Sequence, residues 1–223
     1  MSTAKPGAKP AAKPAGNRGR TVILAVVGLA VVAAVGAIAV LSVEEQASVK
    51  DLEDIAGPVE VTGDPLPPLG SDGSADALEG QGVPAPGATA LTMAGEEVAL
   101  GAGAGTGQVL VFLAHWCPVC QQEVPVLADY VAANGVPAGV ELVAVMTGLD
   151  PGRPNWPPDE WLEREGLDAT VVRDNAEGDL LRAFGVNAYP AWAVVAADGT
   201  LVGRRTGLLD DASIAALLAS AAG

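Results

Sequence analysis

Residues 108–120 read QVLVFLAHWCPVC, and this stretch decides the fold prediction. Its first half, 108–114, is an almost continuous apolar run, which is typical of a strand buried on both faces of a sheet. The residues that follow, over about 118–133, place apolar side chains at helical spacing. The two cysteines of the chain, Cys117 and Cys120, therefore lie where a buried strand ends and a helix begins.

This position favours redox chemistry at the two cysteines. A helix start carries unpaired N–H groups and the positive end of the helix dipole, so an anion such as a thiolate is stabilised there. One helical turn separates Cys117 from Cys120, and their sulfur atoms can meet in a disulfide. We assign Cys117, the one nearer solvent, as the attacking nucleophile and Cys120 as the resolving thiol, which releases the product from a mixed disulfide.

Three other uses of the pair are weaker interpretations. A zinc site needs about four ligands, and besides carboxylates the chain offers only the two cysteines and His115. A c-type haem site needs histidine directly after the second cysteine, but residue 121 is Gln. Two inert buried cysteines would fit a C-x-x-C pattern, although they do not explain its place at a strand-to-helix junction. We expect no metal and no cofactor.

The rest of the C-terminal half predicts a mixed α/β sheet with helices on both faces. Asp198-Gly199 is a strong hairpin turn signal, and no internal repeat is visible. The expected elements are a hairpin over 88–93 and 97–100, strands over 141–147 and 169–172, helices over 159–165, 177–184 and 213–222, and a hairpin over 191–197 and 201–205.

The N-terminal part is interpreted from composition and charge. Residues 1–20 hold five basic and no acidic residues, which predicts a disordered cytoplasmic tail. Residues 21–43 include 22 successive uncharged residues and predict a transmembrane anchor; a cleaved signal peptide is the alternative. Residues 44–82 predict a flexible acidic linker, and 83–223 a folded domain outside the cytoplasm. From Glu44 onward seven basic residues oppose all 27 acidic ones, a net charge of −20 that disfavours nucleic acid as a partner.

Tyr189-Pro190 stands directly before a predicted strand, where proline is unfavourable unless it has a special role. We interpret it as a cis peptide that presents the backbone of Tyr189 to an extended substrate beside Cys117. On this hypothesis Trp116, Tyr189 and Pro190 are the substrate-binding residues next to the cysteine pair.

Residues from about Val83 to the end resemble the thioredoxin superfamily, and within it the TlpA/ResA-type group of membrane-anchored thiol–disulfide oxidoreductases. The resemblance implies a thioredoxin-like fold, Pro190 as the family's cis-proline, and an inserted helix that starts at Asp159. It also implies protein dithiol or disulfide substrates, an upstream membrane electron donor, and a role in cell redox homeostasis such as cytochrome c maturation. The motifs that carry it are Trp116-Cys117-x-x-Cys120, Pro125 within the helix, Phe184-Gly185-Val186, Tyr189-Pro190 and Asp198-Gly199.

The sequence departs from the family at one chemically important position. Val111 stands where thioredoxins often carry a buried acid that helps to deprotonate the resolving thiol. Glu97 and Glu123 are possible substitutes, although we expect both to be solvated charges. We also expect His115 to be exposed, and the loop 148–158 to act as a spacer or to shape a substrate groove.

The predicted function is therefore reduction of protein disulfides outside the membrane. A dithiol oxidase or isomerase on the same fold is an alternative that the sequence does not separate from it. A third alternative, from a different class, is a binding module whose cysteines are vestigial. A peroxiredoxin is disfavoured, because Ala114 stands where such an enzyme needs Thr three residues before its reactive cysteine.

Overall fold

The computed structural model describes residues 52, 55–70, 78–102 and 104–223. Their β-strands form one mixed sheet: β1 (Glu60–Thr62), β2 (Gly87–Thr92), β3 (Glu97–Gly101), β4 (Gly107–Leu113), β5 (Val140–Met146), β6 (Thr170–Arg173), β7 (Ala191–Val195) and β8 (Leu201–Thr206). The order across the sheet is β1-β2-β6-β5-β4-β7-β8, and β3 also pairs with β2. β5 is parallel to β4 and β6, whereas β7 is antiparallel to β4. The predicted mixed sheet is confirmed.

Helices cover both faces of this sheet, as the sequence predicts. They are α1 (Cys120–Asn134), α2 (Pro158–Glu165), α3 (Asp179–Ala183) and α4 (Asp211–Ala221). Side chains of α1, α2 and α4 belong to one apolar core, and those of α3 belong to a second core on the opposite face. The fold is thioredoxin-like.

None of the helices that the structure describes is long and apolar enough to cross a membrane. The predicted cytoplasmic tail over 1–20 and the predicted anchor over 21–43 lie outside the described residues.

Strand β4 lies at the centre of the fold, and all seven of its residues are buried. Side chains alternate along a strand, so successive residues enter opposite cores. Val109 and Val111 pack with α1 and α4, whereas Leu110 and Phe112 pack on the other face. Burial on both faces explains why the run is continuously apolar. The carboxyl end of β4 leads directly into the cysteine segment, so the core of the domain fixes where that segment lies.

The folded chain begins earlier than Val83, which corrects the predicted extent of the flexible linker. Residues 57–70 pack against the domain, with β1 paired to β2. Leu66 and Leu69 are buried, and their amides donate to the carbonyl oxygens of Ala183 and Gly185 at 2.8 and 2.9 Å. The segment is rich in proline, and its apolar residues do not recur at strand or helix spacing. Its composition therefore resembles that of a flexible tether.

A buried arginine holds this segment in place. Arg204 in β8 is only 2% exposed, and its Nη1 donates to the carbonyl oxygens of Pro67 at 2.9 Å and Phe184 at 2.6 Å. The backbone of Arg204 also pairs with Glu79 in an antiparallel bridge. A buried charge is tolerated where hydrogen bonds satisfy it, so these contacts join β8 to the chain before β2.

Candidate active site

The two cysteines occupy the turn between β4 and α1 and are both free thiols. Helix α1 begins at Cys120, two residues later than predicted, although the amide of Gln121 already donates to the Cys117 carbonyl at 3.1 Å. Cys117 is 7% exposed and Cys120 is 0% exposed. A client can therefore reach the sulfur atom of Cys117 first, while that of Cys120 lies behind it.

The structure brings the predicted proline segment to the cysteine pair. The Tyr189-Pro190 peptide bond is cis, as the resemblance implied. The Cys117 Sγ lies 3.8 Å from the carbonyl oxygen of Tyr189, and Pro190 is buried immediately before β7. A strand-like backbone segment therefore flanks the more exposed thiol.

Trp116 joins the same surface. Its Nε1 donates to the carbonyl oxygen of Gly148 at 2.7 Å, and its ring meets the Tyr189 ring edge-on with centroids 6.1 Å apart. The guanidinium carbon of Arg153 lies 4.6 Å from the centre of the Trp116 ring. The three residues predicted to bind substrate are thus together around Cys117, and the loop that carries Gly148 and Arg153 borders them.

Burial raises the pKa of Cys120 far above the usual range for a thiol. A hydrogen bond with the backbone of Ala114 opposes the increase, and the neighbouring Cys117 and the charge of Glu123 add to it. A desolvated thiolate is unfavourable, so Cys120 keeps its proton until a nearby base can remove it.

Glu123 is buried, not solvated as the sequence analysis expected. It is 0% exposed, and its Oε2 accepts a hydrogen bond from the amide of Leu209 at 2.9 Å. No partner for its buried Oε1 lies among the described residues. Burial raises the pKa of Glu123 to about 7, although the Leu209 hydrogen bond and the charge of Arg205 lower it. Glu97, the other suggested acid, is exposed as expected.

A signal for this burial is present in the sequence. Cys120, Val124 and Leu127 lie on the buried stripe of α1, and residue 123 falls within the same stripe. Glu123 is also one turn after Cys120, where side chains on a helix are neighbours. The helix therefore supplies a buried acid close to the resolving thiol, on a different element from the buried acid of thioredoxins.

His115 is likewise buried, and the expectation that it is exposed was wrong. Its Nδ1 lies 2.6 Å from the carbonyl oxygen of Pro154, and the amide of Asp150 donates to Nε2 at 3.3 Å. A carbonyl only accepts and an amide N–H only donates, so the ring is neutral with its proton on Nδ1. Burial lowers the pKa of His115, and the Pro154 contact opposes that change.

These contacts explain the role of the loop over 148–158. The carbonyl oxygen of His115 also accepts hydrogen bonds from the side-chain amides of Gln121 and Asn155, both at 3.1 Å. The loop folds over His115 and therefore lies beside the cysteine segment. Trp161, in the helix α2 that follows the loop, is 1% exposed and packs in the core. Within the described residues no three His, Cys, Asp or Glu side chains group as metal ligands would.

Comparison with known proteins agrees with this geometry. The Redoxin family model matches residues 78–218. Tryparedoxin of Trypanosoma brucei brucei is 30% identical over 129 residues, which cover 56% of this chain and 88% of that protein. The soluble secreted antigen MPT53 of Mycobacterium bovis is 33% identical over 112 residues, covering 50% of this chain and 60% of the antigen.

A solved structure supports the fold assignment. The thiol:disulfide interchange protein of the thioredoxin family from Chlorobium tepidum TLS superposes with a TM-score of 0.52 at 22% sequence identity. The match covers 65% of this chain and 99% of that one. The similarity thus extends over nearly the whole of the Chlorobium tepidum protein. It is a similarity of fold.

Proposed function

The chain belongs to the Redoxin family and is a thiol–disulfide oxidoreductase of the thioredoxin type, and from this we propose that it reduces protein disulfides outside the cytoplasm. One observation carries the proposal. Cys117 is 7% exposed and its Sγ lies 3.8 Å from the Tyr189 carbonyl oxygen, while the fully buried Cys120 lies one turn behind it. A nucleophile that is more exposed than its partner thiol and lies beside a backbone carbonyl suits attack on a polypeptide disulfide.

The reaction proceeds in two exchanges. The thiolate of Cys117 attacks one sulfur of the client disulfide, so that a Cys117–client bond forms and the other client sulfur leaves and takes up a proton. Cys120 then loses its proton and attacks the Cys117 sulfur, so that the Cys117–client bond breaks and the second client sulfur leaves and takes up a proton. The enzyme ends with a Cys117–Cys120 disulfide, and the client has gained two electrons and two protons. A membrane electron donor upstream must reduce the enzyme again.

Glu123 is suited to accept the proton in the second exchange. The raised pKa of Cys120 means that its thiol needs a base before it can attack. The carboxyl of Glu123, one helical turn away, has a pKa of about 7 and so exchanges protons near neutral pH. We therefore assign Glu123 as the group that deprotonates Cys120.

The direction of exchange is proposed from the resemblance to the TlpA/ResA-type group. The raised pKa of Cys120 does not set it, because this thiol is protonated near pH 7 whether its pKa is raised or ordinary. Direction depends on the reduction potential, for which about 30 mV corresponds to roughly 1.4 kcal/mol.

The extracytoplasmic location rests on the charge pattern of the N-terminus. Five basic residues precede the uncharged run over 21–43, and the first acidic residues follow it. Cytoplasmic flanks of membrane spans are enriched in Lys and Arg, so the folded domain would lie on the far side. A secreted relative, MPT53, is consistent with the same compartment.

Insulin reduction by the purified full chain tests the activity. With a thiol reductant present, the wild type should accelerate cleavage of the insulin disulfides, and Cys117→Ser should abolish the acceleration. Equal rates for the wild type and Cys117→Ser would refute the assignment and favour a binding module. Equilibration with glutathione then tests direction: a potential near that of thioredoxin, about −270 mV, supports a reductase, and one near about −120 mV identifies an oxidase.

A further inference from the structure

Arg153 places a positive charge at the edge of the cysteine site. Its guanidinium carbon lies 4.6 Å from the centre of the Trp116 ring, and Trp116 directly precedes Cys117. An arginine in this position makes a cation–π contact with the indole. A client that approaches the Cys117 sulfur therefore passes close to this guanidinium.

The charge is unusual for its surroundings. The chain has a net charge of −15, and several other arginines of the described residues are engaged elsewhere. Arg204 is buried and donates to backbone carbonyls, and Arg182 pairs with Asp179 on α3. Arg153 is thus a cation that contacts the residue next to the nucleophile in a chain that is acidic overall.

The guanidinium retains donors for a further partner. Its Nε lies 3.7 Å from Oδ2 of Asp150, and both side chains are about half exposed, at 51% and 52%. This exposed pair is beyond hydrogen-bond distance and is therefore weak. Among the residues that the structure describes, no acceptor is bonded to the terminal nitrogens of Arg153. Two parallel N–H groups on a planar guanidinium match the two oxygens of a carboxylate.

The loop holds Arg153 in place beside the site. The carbonyl oxygen of its neighbour Pro154 contacts Nδ1 of the buried His115 at 2.6 Å, and the amide of Asp150 donates to the other ring nitrogen. Trp116 Nε1 binds Gly148 at the start of the loop. A backbone pinned at three points loses little further freedom on binding, which favours recognition by a preorganised group.

From this geometry, and on the basis of the proposed function, we propose that Arg153 determines specificity by binding a carboxylate of the client polypeptide close to the disulfide under attack. The side chain binds the client and takes no part in thiol exchange. An exposed ion pair contributes about 0.2–1 kcal/mol, which corresponds to a preference of up to about fivefold in kcat/KM.

Two peptide disulfides test the proposal. They are identical except for Glu or Gln beside the reactive cysteine, and kcat/KM is measured for both with the full-length wild type, Arg153→Met and the control Arg164→Met. Methionine keeps an apolar stem over Trp116 and removes the charge. Arg164 is an exposed arginine at the end of α2.

The ratio of kcat/KM for the Glu peptide to that for the Gln peptide should be about two to five times larger in the wild type than in Arg153→Met. Arg164→Met should keep the wild-type ratio. About 1 M salt screens both the attraction to Arg153 and the repulsion by the acidic domain, so the wild-type and Arg153→Met ratios should converge. Comparing ratios removes the uniform repulsion of acidic clients by the acidic domain.

Equal ratios for the wild type and Arg153→Met, or an equal loss in Arg164→Met, would overturn the specificity role while leaving the proposed reductase intact. The assignment of a polypeptide client would be overturned if Arg153→Met lowered kcat/KM for oxidised glutathione but left the ratio for the two peptides unchanged. A wild type that reduces neither peptide contradicts the proposed function itself, and the inference falls with it.

Discussion

Replacing Glu123 by Gln should change how the stability of the domain depends on pH. Glu123 is 0% exposed, and burial raises its pKa from 4.5 to about 7. Between these values the folded state holds a proton that the unfolded state has released, so the free energy of unfolding falls as pH rises through this window. A shift of this size corresponds to about 3 kcal/mol at 1.36 kcal/mol per pKa unit. Below about pH 4.5 both states are protonated, and the full contribution is present.

Urea unfolding of the wild type and Glu123→Gln at several pH values between 5 and 8 measures this effect. Gln resembles the protonated carboxyl and does not titrate, so the variant should gain about 2.5 kcal/mol relative to the wild type between pH 5 and pH 8, since part of the effect lies below pH 5. Any constant effect of the amide cancels in that comparison. Glu97→Gln, on an exposed part of β3, is the matched control and should show no such gain. A flat difference for Glu123→Gln would refute the burial of a proton at this position.

Three further predictions concern the contacts that hold the loop 148–158 and residues 57–70 against the domain. Replacing His115 by Ala should increase amide hydrogen exchange in the loop 148–157, because the ring contacts with the backbone are lost; unchanged protection would show that other contacts hold the loop. Arg204→Met should lower the free energy of unfolding by about 2 kcal/mol and speed proteolysis near Pro67, because the Pro67 carbonyl loses its buried donor. A variant as resistant to proteolysis as the wild type would contradict this. Gly185→Ala should lower the urea midpoint with an unchanged m value. Gly185 has φ +65°, and an added Cβ would lie 2.3 Å from the Pro67 carbonyl oxygen. An unshifted midpoint would show that the backbone adapts.

The parts of the fold that depend on neighbours in sequence could be predicted. A continuous apolar run followed by a helical stripe identifies β4 and α1, and Asp198-Gly199 identifies the hairpin between β7 and β8. Alternation and turn chemistry are local properties, so they are visible without coordinates. The position of Cys117 at the strand-to-helix junction follows from the same local pattern.

What could not be predicted depends on contacts between distant segments. His115 is buried because the loop over 148–158 folds over it, and the 2.6 Å contact joins it to Pro154, 39 positions later. Residues 57–70 look like a linker in composition and become part of the domain through Arg204, 137 positions after Pro67. A charged residue on a helix is usually solvated, so the place of Glu123 on the buried stripe of α1 is a weak signal, and its hydrogen-bond partner Leu209 lies 86 positions later in the chain.

Trapping the intermediate tests the central claim, that Cys117 attacks and Cys120 resolves. The Cys120→Ser variant is mixed with insulin under non-reducing conditions, and the products are mapped by intact-mass and peptide mass spectrometry. The account predicts a stable adduct of an insulin chain on Cys117, released by reductant, and no adduct with Cys117→Ser. An adduct of equal yield in Cys117→Ser, or none in Cys120→Ser, would contradict it.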